Sequence, residues 1–227
     1  MSENESQKNA PPLVFDAQGL IPVIAQDHLT GEVRMFAFAS TEAVLATLAT
    51  KRATFFSRSR AELWEKGRTS GHTLAVKRVY VDCDTDALIY AVEPNGPTCH
   101  TSAESCFFQV VGDEGALERN VEGTALMSRL EARLEARRTS TAEKSYTKSL
   151  YEGGPAKIGE KIREEADEVA RAIEGESDER VASEAADVVY HLLVGLRARG
   201  IAWRDVLAKL EERLVTSGHA EKASRTE

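Results

Sequence analysis

The sequence has no apolar run long enough to cross a bilayer, and Met1 to Pro12 is polar where a secretory leader would carry an apolar stretch. Those two lacks predict a cytoplasmic protein with no membrane partner. A basic excess is also missing. The 29 Lys and Arg stand against 37 Asp and Glu, a formal net charge of -8, which argues against a nucleic-acid partner because a polyanion needs a basic footprint. A small anionic substrate held by local cations or metals stays open. Three cysteines make no even set for a disulfide framework, and without a Cys-x-x-Cys pair there is no zinc finger or ribbon. Metal ligation or reactive thiols are left to them. There is no internal repeat and no low-complexity tract.

What is present falls into two textures. From Ile21 to Gly112, short strand-like runs (Ile21–Ala25, Val33–Phe38, Leu74–Val81, Leu88–Val92 and Cys106–Val111) are separated by turn residues. One helix is expected over Thr41–Thr50, capped by Ser40 and apolar at Ala43, Val44, Leu45 and Leu48. This half reads as α+β, a small mixed β-sheet with a helix. After Gly112 the pattern becomes helical and rich in Glu, Arg and Ala, which places a boundary between Asp113 and Gly123 and domains at 1–117 and 118–227. The second half reads as an all-α bundle with helices near 124–138, 141–151, 155–174, 178–199 and 202–216. Gly153-Gly154-Pro155 separates two of them, and Gly200 fits just past a helix end.

The cysteines fall as Cys83-x15-Cys99-x6-Cys106. Three thiolates leave one tetrahedral position open, as a catalytic zinc requires, and a water there would ionise near neutral pH. An isolated cysteine is more often a small buried hydrophobe. His100 and Asp82, each beside a cysteine, favour a site. Asp82-Cys83-Asp84-Thr85-Asp86 follows the strand ending at Val81, and continued strand period would put Asp82, Asp84 and Asp86 on one face and Cys83 on the other. Three carboxylates on one face repel, so a hard cation such as Mg²⁺ is expected, with a solvated acidic turn as the competing account. An EF-hand is excluded because Ala87 stands where its turn glycine belongs. On that geometry Cys83 would not reach Cys99 and Cys106 of its own chain. A zinc shared across a homodimer would resolve this.

Ser57 to His72 reads as a loop dense in cations and hydroxyls. Arg58, Arg60, Lys66 and Ser70 could hold phosphate and ribose, Gly67 and Gly71 let backbone amides approach, and an exposed Trp64 is expected to pack or stack. A basic surface loop is the plainer account. His72 is either a general base or a satisfied structural histidine, and His100 is a second candidate base.

The second half carries Lys161, Glu164, Glu165 and Glu168 on one expected helix and Glu184 and Asp187 on the next. On a 3.6-residue period Ile158, Ile162, Val169 and Ile173 make an apolar stripe with Glu165 at its edge, while Glu164 and Glu168 step away. Val181, Glu184, Asp187, Val188 and His191 share a face of the second helix. Ion pairs along an amphipathic helix account for Glu164, Asp167 and Arg171 but leave Glu165, Glu184 and Asp187 unexplained. Carboxylates facing each other in a bundle are expensive unless a divalent cation neutralises them, and Mg²⁺ there could serve phosphoanhydride cleavage. His191, one turn beyond Asp187, can orient a carboxylate.

Together these motifs resemble the bifunctional phosphoribosyl-AMP cyclohydrolase and phosphoribosyl-ATP pyrophosphatase of histidine biosynthesis. The stretches that carry the resemblance are Ser57-Arg-Ser-Arg60, Leu63-Trp-Glu-Lys-Gly67, Thr69-Ser-Gly-His72, Asp82-Cys-Asp-Thr-Asp86, Gly96-Pro-Thr-Cys-His100 and Ser105-Cys-Phe107 in the first half. In the second they are Lys144-Ser-Tyr-Thr147, Glu164-Glu165-x-x-Glu168 and Glu184-x-x-Asp187-x-x-Tyr190-His191, which look like the all-α nucleotide pyrophosphohydrolases. The resemblance implies that the C-terminal domain cleaves phosphoribosyl-ATP to phosphoribosyl-AMP and pyrophosphate with Mg²⁺ on Glu164, Glu165, Glu168, Glu184 and Asp187. The N-terminal domain would then open the purine ring at N1–C6. It further implies zinc on Cys83, Cys99 and Cys106, with Cys83 from the partner subunit, Mg²⁺ on Asp82, Asp84 and Asp86, and substrate contacts from Arg58, Arg60, Trp64, Lys66, Ser70, Lys144 and Lys161. One departure is Arg68, where the family is expected to carry Glu. The other function kept in view is a zinc-stabilised binding module fused to a broad-range nucleoside triphosphate pyrophosphatase.

Overall fold

The structure is a computed structural model that describes residues 12–113, 115–120, 122–139 and 145–214. It divides into two compact units, Met1–Ala125 and Leu126–Glu227. No helix among the described residues is long and apolar enough to cross a membrane.

In the first unit β1 (Ile21–Asp27), β2 (Val33–Ala39), β3 (Thr54–Ser57), β4 (Glu62–Glu65), β5 (Leu74–Val81) and β6 (Leu88–Pro94) make one sheet in the order β4-β3-β2-β1-β6-β5. β1 and β6 run parallel and the other neighbours antiparallel, so the sheet is mixed. Alternation along β1 shows which face is covered: Ile21, Val23 and Ala25 are fully buried, while Ile24 between them reaches solvent. On the covered face lies α1 (Thr41–Thr50), whose Ala43 and Val44 join the core of Phe55, Leu74, Leu88 and Tyr90. Ser40 Oγ accepts from the Ala43 amide at 3.3 Å, which caps this helix as the sequence predicts. The buried Thr47 hydroxyl bonds both the amide and the carbonyl of Thr54, fastening α1 to β3. The opposite face keeps Ile24, Phe36, Tyr80 and Val81 exposed.

Three local expectations change. Ser57 to His72 is not one loop, because β3 and β4 pair across Phe55↔Trp64 and only the turns around Arg58–Ala61 and Gly67–Gly71 remain. Trp64 is accordingly half-buried against Phe55, with ring centroids 5.1 Å apart, and is not free in a loop. Cys106–Val111 does not enter the main sheet; its last three residues, β7 (Gln109–Val111), pair only with β8 (Leu117–Arg119) in a separate hairpin. Beyond it the buried Glu32 carboxylate accepts from the amides of Thr124 and Ala125 at 2.6 and 2.9 Å, fixing the chain where the first unit ends.

The described residues of the second unit carry helices and no strand: α2 (Leu126–Thr139), α3 (Tyr146–Gly175), α4 (Asp178–Ala198) and α5 (Trp203–Leu214). Ser145 and Ser177 cap α3 and α4 by accepting from Lys148 and Arg180 amides. The two helices expected on either side of Gly153-Gly154-Pro155 run on as one element with a break at Gly154, whose φ of 70° and ψ of -171° leave the helical region. Residues 140–144 and 215–216, at the edges of two expected helices, lie outside the described residues. Leu134, Leu150, Ile158, Leu193 and Val194 make the core, and Gly195 lets α4 approach Ile158, since a Cβ there would stand 3.2 Å from Ile158 Cγ2. Ile173, assigned to the apolar stripe, is exposed near the end of α3.

Each unit has its own core, so damage should stay local. Leu193→Ala, which empties a fully buried position, should destabilise the helical unit by about 2–5 kcal/mol. Denaturation followed by helical circular dichroism should show an earlier transition, with the tertiary signal of the sheet unit unmoved.

Candidate active sites

Asp82 to Asp86 is a tight turn after β5, so the strand period expected there does not apply. Asp82 Oδ1 accepts the amides of Asp86 and Ala87 at 3.0 and 3.1 Å, and Thr85 takes a left-handed φ of 66°. The turn still brings the carboxylates together: ligand atoms of Asp82, Asp84 and Asp86 all lie within 4.8 Å of one another. The Ala87 backbone amide, with the other donors, holds Asp82 below the ordinary carboxylate range. Asp84's charge pushes Asp86 above it. Cys83 projects from the same turn into solvent, and the three cysteines form no such cluster within one chain.

Cys99 and Cys106 do meet. Cys99 sits in a loop closed by its amide to Ala103 O at 3.0 Å, and the Cys106 amide bonds Arg34 O on β2 at 2.9 Å. Desolvation opposes the Cys99 thiolate, but Thr101 Oγ1 at 3.1 Å, backbone donors and Cys106 outweigh it and hold the thiol below its usual range. Desolvation and the neighbouring Cys99 push Cys106 up to about 11. Lys66 lies beside both sulfurs; burial lowers its ammonium, while Cys106 and Cys99 act to raise it. Its Nζ is 3.4 Å from His72 O. The His72 ring packs over Gly96, where a Cβ would be 3.0 Å from Cδ2. Ser70 Oγ accepts the His72 amide, and His100 Nδ1 stands 3.9 Å from Cys99 Sγ. Lys66, His100 and the two thiols thus gather in one place, and His72 is tied to them through its backbone carbonyl on Lys66.

Arg58 and Arg60 belong to a different feature, an open cleft of about 530 Å³ lined by Phe38, Phe56, Ser57, Ser59 and Trp64 with the two arginines. The Arg58 guanidinium lies 4.1 Å from the Phe38 ring centroid, and Arg60 pairs with Glu62 at 3.0 Å. Aromatic walls and a fixed cation suit a nucleotide's base and phosphate.

In the helical unit Glu165 and Glu168 of α3 converge with Glu184 of α4, their carboxylate oxygens within 4.8 Å of one another. Glu165 and Glu184 are buried. Glu168, placed off the apolar edge by helical period alone, is in the cluster, whereas Glu164 and Asp187 are exposed and outside it. A hydrogen bond with Glu184, then burial and the charges of Glu184, Glu165 and Glu164, push the Glu168 carboxyl upward. Lys161 reaches Glu164 and Glu165 at 2.8 and 2.9 Å, and Arg180 pairs with Glu184.

Motif reading alone did not assign Tyr146 a role, and the structure brings it to this cluster. His191 Nδ1 is 2.9 Å from the Asp187 carbonyl, which can only accept, so in the neutral imidazole Nδ1 carries the proton and Nε2 accepts the Tyr146 hydroxyl at 2.7 Å. His191 Nδ1 also lies 3.7 Å from Glu165. The available signal was Tyr146 beside an N-capping serine, one helix away from a histidine on the carboxylate face. Lys144 lies outside the described residues.

One unit presents paired thiols beside a lysine and histidines, and the other presents converging carboxylates in a helical bundle; fold and sites define a two-site hydrolase. Residues 35–108 match the phosphoribosyl-AMP cyclohydrolase family model, and residues 127–214 match that of phosphoribosyl-ATP pyrophosphohydrolase. The histidine biosynthesis bifunctional protein HisIE of Bacillus subtilis is 44% identical over 206 residues, covering 91% of this chain and 97% of the relative. That of Deinococcus radiodurans is 43% identical over 206 residues, covering 91% and 94%, and that of Caldanaerobacter subterraneus subsp. tengcongensis is 41% identical over 201 residues, covering 88% and 96%. The chain belongs to this family of bifunctional histidine-biosynthesis hydrolases, with a cyclohydrolase region followed by a pyrophosphohydrolase region. A binding module fused to a broad-range triphosphate pyrophosphatase is not supported.

Gly67 tests the thiol constellation. Its φ is 85° and an added Cβ would fall 2.3 Å from His72 O, so Gly67→Ala must open the turn that joins Lys66 to His72. Cyclohydrolase turnover should fall about a hundredfold, as misplacement of reacting groups by an ångström does. Pyrophosphohydrolase turnover in the same preparation should be unchanged.

Proposed function

We propose that the reactions run opposite to chain order, each assigned to its own residues. Domain 118–227 hydrolyses phosphoribosyl-ATP to phosphoribosyl-AMP and pyrophosphate, with Mg²⁺ held by Glu165, Glu168 and Glu184 and approached by Glu164 and Asp187. Domain 1–117 then adds water across N1–C6 of phosphoribosyl-AMP: oxygen bonds to C6, the C6–N1 bond breaks with its electron pair staying on N1, and the two protons of water end on N1 and on the exocyclic nitrogen, leaving a carboxamide at C6. Zinc is held by Cys83, Cys99 and Cys106, and Mg²⁺ by Asp82, Asp84 and Asp86. The observation that carries this reading is that two donor sets of different softness, thiols in one unit and carboxylates in the other, each fall within the stretch matching the corresponding family model.

The residues fit these metals. Cys106 resists ionisation beside Cys99, a cost that a thiophilic divalent cation offsets. Glu165, Glu168 and Glu184 crowd like charges on a partly buried surface, which a hard cation offsets. Bound zinc supplies activation of water, and bound Mg²⁺ neutralises charge along the triphosphate. The chain's own groups do the rest. Arg58, Arg60 and Ser70 bind phosphate and ribose, with Trp64 as a wall of the base pocket. Lys66 stabilises negative charge beside the thiols, and His72 and His100 are the candidates to move the proton to N1. In the helical unit Lys161 and, on motif alone, Lys144 meet the triphosphate, while Tyr146 and His191 hold Glu165 in place.

Cys83 fits the zinc set only from a second copy. It is exposed and unclustered in one chain, and beside its turn the uncovered face forms an apolar hollow of about 300 Å³ lined by Ile24, Phe36, Tyr80 and Val81. A cytoplasmic homodimer that covers this face and exchanges Cys83 satisfies both observations.

Two variants separate the activities. Cys99→Ser should abolish ring opening while phosphoribosyl-AMP accumulates from phosphoribosyl-ATP, and Glu184→Gln should stop pyrophosphate release while added phosphoribosyl-AMP is still opened. Ring opening that survives the first, or pyrophosphate release that survives the second, contradicts the corresponding assignment. For the shared site, zinc content measured across a dilution series should fall as the dimer dissociates; a monomer that keeps full zinc removes the exchange.

A further inference from the structure

We infer that Arg34 is the positioning residue of the thiol site, setting Cys99 against Cys106 from β2. Resting on the zinc reading above, this goes beyond it to a residue that lies one position outside the matched cyclohydrolase stretch, 35–108. Arg34 is a lone cation in the strand Val33-Arg-Met-Phe-Ala-Phe-Ala39, and its side chain is only 8% exposed. A buried guanidinium is costly unless its donors are met. Here Nε donates to Thr98 Oγ1 at 3.1 Å, and Nη2 donates to Gly96 O at 3.3 Å and to Glu104 Oε2 at 2.9 Å.

All three acceptors belong to the loop that carries Cys99. That loop is closed by Cys99 N–H to Ala103 O at 3.0 Å and Thr98 N–H to Glu104 O at 3.3 Å, with Ser102 turning at a left-handed φ of 65°. Thr98 and Glu104 therefore form its base, and the guanidinium clamps their side chains from both sides. The same residue holds the second thiol through its backbone, because Cys106 N–H donates to Arg34 O at 2.9 Å. Ser105 reinforces this with its hydroxyl on Val33 O at 2.6 Å. One β2 residue thus fixes one cysteine by its fork and the other by its carbonyl. A planar fork can span Thr98, Gly96 and Glu104 together; a lysine ammonium cannot match that geometry.

The backbone half survives any substitution, so side-chain variants isolate the Cys99 half. In the full-length chain, Arg34→Leu should weaken zinc affinity, read by competition with a chromogenic chelator, by about 10- to 100-fold, the usual cost of losing a group that orients a ligand. The thiolate-to-cobalt charge-transfer band of the Co²⁺-loaded chain should shift or weaken. Arg34→Lys should recover part of both, and Glu104→Gln, at a side chain 73% exposed, should lose a severalfold share without disturbing the fold. Pyrophosphohydrolase turnover should stay at the wild-type level throughout. Wild-type zinc affinity and an unaltered cobalt band in Arg34→Leu would overturn the inference. Should that variant not fold, Arg34→Lys and Glu104→Gln decide in the same way, reduced affinity supporting it and unchanged affinity overturning it. A wild-type chain without any thiolate-to-cobalt band would instead remove the zinc reading on which the inference rests.

Discussion

A carboxylate taken out of water has to be met by a cation or a proton, and the helical unit is organised around a group of them taken out together. Glu165 and Glu184 are buried on facing helices, and Glu168 closes the group at its edge. No bundle gains stability from this arrangement by itself, since desolvation and mutual repulsion both act against the charged forms. The chain answers with its own cations: Lys161 against Glu165, one turn away on α3, and Arg180 against Glu184, one turn away on α4. The close approach of α3 to α4 that makes the cluster is in turn permitted by Gly195, with Leu193 and Val194 filling the core beside it.

The sheet unit meets the same constraint with softer atoms. Two thiols are brought together by a loop hung on β2, and Lys66 stands beside them on the strand-turn that follows β4. The third cysteine is held apart on the turn after β5, next to an apolar face that stays exposed among the described residues. Among the described residues one helix covers one face of the six-stranded sheet, and the opposite face stays exposed as the surface that the proposed homodimer would use. On the proposed reading, the metal chemistry and the assembly of the cyclohydrolase region are in that sense one problem.

Much of this was legible from residue order. Ser40 marks a helix start because a side-chain oxygen beside a free amide is a local bond that needs no tertiary partner, whereas Ser145, inside the helix expected over 141–151, turns out to cap the helix that begins at Tyr146. Helical period put Glu165, Glu184 and His191 toward the inside, and all are buried. The same period put Asp187 inside, where it is exposed, and Glu168 off the edge, where it is half-buried in the cluster, because which edge of a helix is covered depends on the neighbouring helix. β4 lies inside the stretch that reads as a loop, Ser57 to His72, and β3 has no signal of its own: strands of four residues with serines and arginines between them carry too little alternation to declare themselves, and what makes them strands is pairing across Phe55 and Trp64. Asp82, Asp84 and Asp86 converge for a reason other than strand period, a turn closed on Asp82 Oδ1.

What the sequence determined by itself was the set of chemical groups, the two-part organisation and the family, because residue types at fixed spacing and local capping bonds are properties of the chain alone. Tertiary structure decided the rest. It showed that Cys99 and Cys106 meet while Cys83 does not join them, that Tyr146 reaches His191 from another helix, and that Arg34 lies beneath the cysteine loop more than sixty residues along the chain. Contacts of that kind form only when packing brings distant segments together, and no periodicity along a single element encodes them.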